Sequence, residues 1–449
     1  MGRSSRGEFA YQTVYHYLAA LITEAHRSGE RRLPSLRELS RRLRVSLATV
    51  QSAYSLLEHE GRVVSVPKSG YFVPSDPPRG GLVPAGATPG WSAVPAHPLL
   101  ERVLLAHERR LARQRAATAW DNTGGVRLRN ALAERYTRSS RQYWCGEDVH
   151  LGPDVQALLE TVLEALSLRG ATVVVASPCC WRLLQVLRRC DMQVLEVPLS
   201  DCGRLDLQRL SCLLGRESVR MLILPSCLGM PQGRLMPLRD QQRIAQLVNQ
   251  HPVWLLENDL DSEHCFGAPP GSRLRDWVDP RWLMVLGSLE ASVGAEAPYA
   301  YMLCRHPVLP SAIAQRGFLL APLRQLALAQ VLVRGEVDAN LGGLQGELLR
   351  RMELLCEQVE RHLGALVAFE MPEGGRTLWV RLHRPQSPEG LSGPVLQVVP
   401  GQRYSALGHY RQHLALTWLG EQPQALVEAL QGLALALQAR GGWPLVEPD

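Results

Sequence analysis

The sequence predicts an α/β protein in two parts. A small helical domain closed by a hairpin comes first, and a large domain built on a mostly parallel sheet follows, ending in a small α+β lobe. Three observations carry that prediction. Residues 9–73 run helix, helix, tight turn, helix, hairpin. Residues 74–97, "PSDPPRGGLVPAGATPGWSAVPAH", are rich in Pro and Gly with little periodicity. Beyond them, short continuous apolar runs alternate with helical stretches, the pattern of strands covered on both faces.

In the first part, Val14, Tyr17, Leu18, Leu21 and Ile22 share one face of a helix over about residues 9–25. "SGERRLP" breaks it. In "SLRE", Ser35 can cap the next helix and Glu38 can reach back, a capping box. Leu36, Leu39 and Leu43 make its apolar side. After the short turn "RVS", Ser46 caps a third helix. There Val50, Ala53, Tyr54 and Leu57 form the buried face, and Leu47, Ala48, Gln51, Ser52 and Ser55 point outward. Gly61 ends it, and "RVVSVPKSGYFVP" reads as a hairpin with "PKSG" at its tip. This is the order of an N-terminal winged helix-turn-helix. In that fold the third helix enters the major groove, the second crosses the backbone, and the hairpin tip meets phosphate or the minor groove.

The linker spans residues 76–97, between a first domain over 1–75 and a second over 98–449. It is partly extended and long enough to let the small domain reach a partner subunit. In the large part, "ATVVVAS", "MQVLEVP", "RMLILPS", "VWLLEND", "WLMVLGS" and "YAYMLC" are the candidate strands. "RTLWVRL" and "LALTWLG" are strands of the smaller lobe. "GSLEASVGAEAPYAYML" reads as a strand end, a tight turn and a second strand.

Length and composition narrow the function classes. The chain of 449 residues has room for two or three domains, and 46% hydrophobic with 20% charged residues is ordinary for a soluble protein. No apolar run is long enough to span a bilayer. "MGRSSRGEFAYQ" lacks the apolar core of a signal peptide, so a cytoplasmic location is expected. None of the ten cysteines makes a C-x-x-C pair, and no metal site is expected. The net charge of +6 is concentrated at the front: residues 1–75 carry eleven Arg and Lys against six Asp and Glu. That is a nucleic-acid-like footprint. Lys68 is the only lysine in the chain. Arginine stays protonated and cannot form a Schiff base.

"LPSLRELSRRLRVSLATVQSAYSLLEHEGRVVSVPKSGYFV" resembles the N-terminal domain of the GntR family of bacterial transcription regulators. Pro34, Ser35, Arg37, Leu39, Ser46, Thr49, Val50, Tyr54, Leu57, Gly61, Ser69 and Gly70 match the family pattern. Leu47 departs from it, since the family usually has a DNA-contacting arginine there. An apolar contact to a thymine methyl remains open to Leu47. The residues expected at DNA are Ser35, Arg37, Arg42, Arg44, Ser46, Thr49, Gln51, Lys68, Ser69 and Gly70.

With the large domain added, the whole chain resembles the MocR subgroup, whose second domain is similar to fold-type I aminotransferases. "WDNTGGVRLRNALAERY", "VPLSDCGRLDLQRL" and, most specifically, "LLENDLDSEH" carry this resemblance. The resemblance implies a pyridoxal phosphate (PLP) pocket, but here it maps onto a relic set of residues. The Asn of the N-P-x-G loop falls on Met230. Asp259 keeps the position that pairs with the pyridine nitrogen, and the Tyr after it is Leu260. The Schiff-base lysine falls on Ala291, the phosphate-gripping arginine on Pro298, and the substrate-carboxylate arginine on Ala415.

The resulting expectation is a sequence-specific DNA-binding transcription regulator, not an enzyme, with no catalytic residues and no covalently held PLP. The family resemblance implies a homodimer on a double-stranded operator, with an unknown small-molecule effector or protein partner. Two alternatives stay open: a regulator that binds PLP noncovalently, and an enzyme using Asp261, Glu263, His264 or Cys265 in the relic pocket.

Overall fold

The computed structural model describes residues 14, 17, 18, 21, 22, 32–59, 63–66, 70–73, 98–115, 124–200, 202–294, 296–384 and 391–440. The linker over 76–97, Lys68 and Ser69 lie outside them. The chain divides into two compact units, Met1–Gly90 and Trp91–Asp449.

In the first unit, the Leu36–Leu43 helix starts where Ser35 Oγ accepts the Glu38 amide at 3.3 Å. It stops at Arg44, whose left-handed backbone (φ 54, ψ 42) donates its N–H to the Ser40 carbonyl and turns the chain. The Leu47–His59 helix is capped by Ser46, whose Oγ accepts the Thr49 amide at 3.1 Å. Val50, Ala53, Tyr54 and Leu57 are fully buried, together with Val14, Leu18, Ile22 and Leu39. That is the face the apolar spacing predicts. Two short strands, β1 (Val64–Val66) and β2 (Gly70–Phe72), pair antiparallel. Tyr54 ties this hairpin to the helices. Its ring stacks on Tyr71 at 4.1 Å between centroids, and its hydroxyl donates to the Pro34 carbonyl at 2.5 Å.

In the second unit, the strands in chain order are β3 (Val149–Gly152), β4 (Thr172–Ser177), β5 (Gln193–Pro198), β6 (Val219–Pro225), the small pair β7 (Leu228–Gly229) and β8 (Arg234–Leu235), β9 (Trp254–Asn258), β10 (Leu283–Ser288) and β11 (Ala300–Leu303). Seven of them form one sheet in the order β3-β11-β10-β9-β6-β4-β5. The run from β10 to β5 is parallel throughout, and β11 alone lies antiparallel to its neighbours. All six predicted strands of this domain are present. The edge strand β3 was not predicted; four residues are too few to show a period.

Both faces of the sheet are covered. Val174, Leu222, Leu224, Leu255 and Val285 join one core and Val173, Met221, Ile223, Leu256 and Met284 the other. The period-two alternation of a strand sends successive side chains to opposite helical layers. A 28-residue helix, Glu336–Leu363, then leads into the C-terminal lobe. There β12 (Val367–Phe369), β13 (Thr377–Leu382), β14 (Leu396–Pro400) and β15 (His413–Trp418) pair antiparallel in the order β12-β13-β15-β14. Leu378, Val380 and Leu382 pack against that helix and the Pro423–Arg440 helix. Among the described residues, no helix is long and apolar enough to cross a membrane.

Candidate nucleic-acid interface and relic cofactor cleft

On the first unit, Ser35, Arg37, Arg42, Arg44, Ser46 and Gln51 are exposed, and Thr49 is half-buried. The Ser46 and Thr49 hydroxyls lie 2.7 Å apart, so both are engaged in starting the helix. Arg42 lies 5.6 Å over the Tyr17 ring, which steadies its guanidinium. Leu47 and Ala48 are exposed in the first turn of the third helix, Leu47 at 49%. Of the expected wing-tip residues, only Gly70 is described; its φ of +109 suits a glycine, and open space surrounds it.

The second unit presents the relic cleft at the C-terminal ends of β9 and β10. Asp259 follows β9, and its amide donates to the Leu286 carbonyl of β10 at 2.9 Å. Its carboxylate is held by three donors. Oδ2 accepts from the Tyr136 hydroxyl at 2.6 Å and from Arg275 Nη1 at 3.1 Å, and Oδ1 accepts from Ser262 Oγ. Burial alone would push Asp259 up. Arg275, with the hydrogen bonds from Ser262 and Tyr136, outweighs that and holds its carboxyl below the ordinary range.

Arg275 also pairs with the fully buried Glu257, whose Oε2 accepts the Arg275 amide at 2.6 Å and whose Oε1 accepts from Ser226 Oγ at 2.6 Å. Burial pushes Glu257 up. The Arg275 guanidinium lies 4.8 Å over the Tyr136 ring, and the Tyr136 and Tyr301 hydroxyls are 3.2 Å apart. Tyr301 crosses the backbone of Gly287 so closely that a Cβ there would meet its ring at 2.3 Å. Gly287→Ala should therefore displace Tyr301 and lower stability by about 1–3 kcal/mol, read as a lower melting temperature.

The segment expected as a tight turn around Ala291 is one helical turn, Glu290–Val293. The 3-10 turn Ser262–His264 links it to Asp259. Ser262 binds Asp259, while His264 Nε2 lies 3.1 Å from the Ala291 carbonyl and His264 Nδ1 lies 3.6 Å from Asp261. The structure therefore brings Asp259 and Ala291 to one place. The other relic positions have different surroundings. Met230 packs beside Cys227, Leu228 and Cys265, against the backbone of Gly375. Leu260 belongs to the sheet core, and Pro298 is exposed. Ala415 is fully buried in a cluster with Val399, Tyr404, Trp181 and Trp379, so aromatic rings surround the position to which the resemblance assigns the substrate-carboxylate arginine.

These residues do not fit PLP held as an imine. Ala291 offers no amine, and no lysine follows Lys68. Asp259 already has three partners where the pyridine nitrogen would need it. Sequence reasoning missed Tyr136, Glu257 and Arg275, since residues that converge from separate loops and helices leave no periodic signal. Among the described residues, no group of three or more His, Cys, Asp or Glu side chains is placed to hold a metal. Burial pushes the Cys179 thiol well up and raises Cys180, so neither is an activated thiolate.

Comparison with known proteins agrees with this anatomy. Residues 10–73 match the family described as bacterial regulatory proteins, gntR family, and residues 92–383 match aminotransferase class I and II. The uncharacterized HTH-type transcriptional regulator YjiR of Escherichia coli is 25% identical over 95% of this chain and 99% of its own. The probable rhizopine catabolism regulatory protein MocR of Rhizobium meliloti is 24% identical over 97% of this chain and 96% of its own. Among solved structures, the α-aminoadipate aminotransferase LysN of Thermus thermophilus superposes with a TM-score of 0.66 at 22% identity, covering 77% of this chain and 90% of that one. The chain belongs to the aminotransferase class I and II family, joined to an N-terminal GntR domain in the arrangement of the MocR subgroup.

Proposed function

We propose that this protein is a sequence-specific DNA-binding transcription regulator whose aminotransferase-like domain is catalytically dead and holds no PLP through an imine. One observation carries the reading: a capped helix-turn-helix precedes an aminotransferase fold that contains no lysine. Electron-sink chemistry on PLP needs the imine and a general-base amine together, and arginine supplies neither. The full-length likeness to proteins named as transcriptional regulators supports the same reading. The large domain then serves as a dimerisation body and a receptor for a small molecule or protein partner, in the cytoplasm where the DNA is. Two winged helices per homodimer suit paired half-sites on an operator.

Two measurements test this. Purified protein mixed with PLP and freed of excess should show no absorption band at PLP wavelengths. A retained band that resists borohydride would favour noncovalent cofactor binding, with Asp259 as its anchor. A mobility-shift assay on DNA upstream of its own or a neighbouring gene should show a specific, salt-sensitive complex. Absence of any specific complex, with no salt dependence, would sink the regulator reading.

A further inference from the structure

Arg376 sits at the entry to β13, beside the relic cleft but on a strand different from the one that carries Ala415. Its Nη2 lies 3.2 Å from His264 Nε2. Its Nε and Nη1 are shielded from solvent and make no hydrogen bond to any described residue. Among the described residues it forms no ion pair; Asp261, the acid whose field reaches it most strongly, lies against His264 instead. A desolvated guanidinium carries five donors and no acceptor, and leaving it uncompensated costs several kcal/mol.

The space beside Arg376 explains what could compensate it. Arg376, Arg351, Thr417 and Trp418 line a small, partly open cavity of about 30 Å³, floored by apolar residues of the Glu336–Leu363 helix. Arg351 is locked in place: its guanidinium lies 4.0 Å over the Trp418 ring and donates to the Trp418 and Gly420 carbonyls at 3.1 and 2.7 Å. Two cationic groups therefore border one small void, and a water there would supply no charge. The volume is that of one water or one compact ion; a phosphate would not enter. The cavity is not fully closed, which leaves a way in.

We propose that this cavity binds a compact monovalent anion, either a halide or the single carboxylate group of a small ligand, between Arg376 and Arg351. Arg376 supplies unbonded donors at Nε and Nη1, which point to different sides of the guanidinium, so one anion oxygen or one spherical anion meets one of them. Burial pushes the Arg376 guanidinium down to about 9, so it remains charged at neutral pH and an anion there gains a full ion pair.

The test is thermal unfolding of the full chain in the sodium salt of a bulky sulfonate buffer (MOPS), with sodium chloride, bromide, formate or acetate added at constant ionic strength. A rise that grows with the logarithm of concentration above Kd, about 2 °C at ten times Kd, is expected, and Arg376→Gln should abolish it. A rise with halides alone marks a halide site. A rise with formate or acetate at lower concentration marks the carboxylate of a ligand. If all four salts match the sulfonate, or Arg376→Gln responds like the parent, the cavity holds water and the proposal fails. Should Arg376→Gln not fold, crystals of the parent in sodium bromide decide. An anomalous peak within hydrogen-bond reach of Arg376 Nε or Nη1 upholds the site, and its absence together with empty density in acetate overturns it.

Discussion

Arg275→Met should destabilise the large unit by about 3–5 kcal/mol, the usual cost of removing one partner from a buried charge network. Among the described residues Arg275 is the cation that pairs with both Glu257 and Asp259, and all three side chains are almost wholly buried. Without it, two buried carboxylates face each other with only the weaker field of Arg273 to offset them. A loss of that size is a large share of the total stability of a domain, so much of the variant should be insoluble. Urea unfolding followed by tryptophan fluorescence is the measurement. A triple variant, Arg275→Met with Glu257→Gln and Asp259→Asn, should recover most of the loss, because it removes the stranded charges. A single-variant loss under about 1 kcal/mol would mean that water reaches the network, and the buried reading of the relic site would be wrong.

Replacing Arg37, Arg42 and Arg44 together with Ala should cost the largest part of DNA affinity. All three are exposed on the same small unit, where the basic excess of the sequence is concentrated. Each phosphate contact removed lowers the slope of log affinity against log salt by about 0.9. In a dimer, three contacts per domain would flatten that slope by roughly 5. Mobility shifts across a salt series read this directly. A variant that keeps the parent slope would show that these arginines face solvent and that DNA lies elsewhere. Leu47→Arg gives the complementary check. It should add affinity at operators with guanine under the first turn of the helix, where arginine reads O6 and N7, and leave the salt slope nearly unchanged.

The sequence by itself determined the elements and much of the chemistry. Caps at Ser35 and Ser46, the apolar spacing of Val50, Ala53, Tyr54 and Leu57, and six continuous apolar strands were all legible, because local hydrogen bonding and one-sided burial leave a periodic trace. The absence of any lysine beyond Lys68 was also legible, since composition does not depend on folding. What neighbours a residue was not. Only the tertiary structure showed that Asp259 is fully occupied by Tyr136, Ser262 and Arg275, that aromatic rings close over Ala415, and that Arg376 is left with unbonded donors beside Arg351. At Asp259 alone, Arg275 and Tyr136 arrive from 16 and 123 positions away. Their strength comes from burial, and burial exists only once the sheet, its helical layers and the C-terminal lobe have assembled around them.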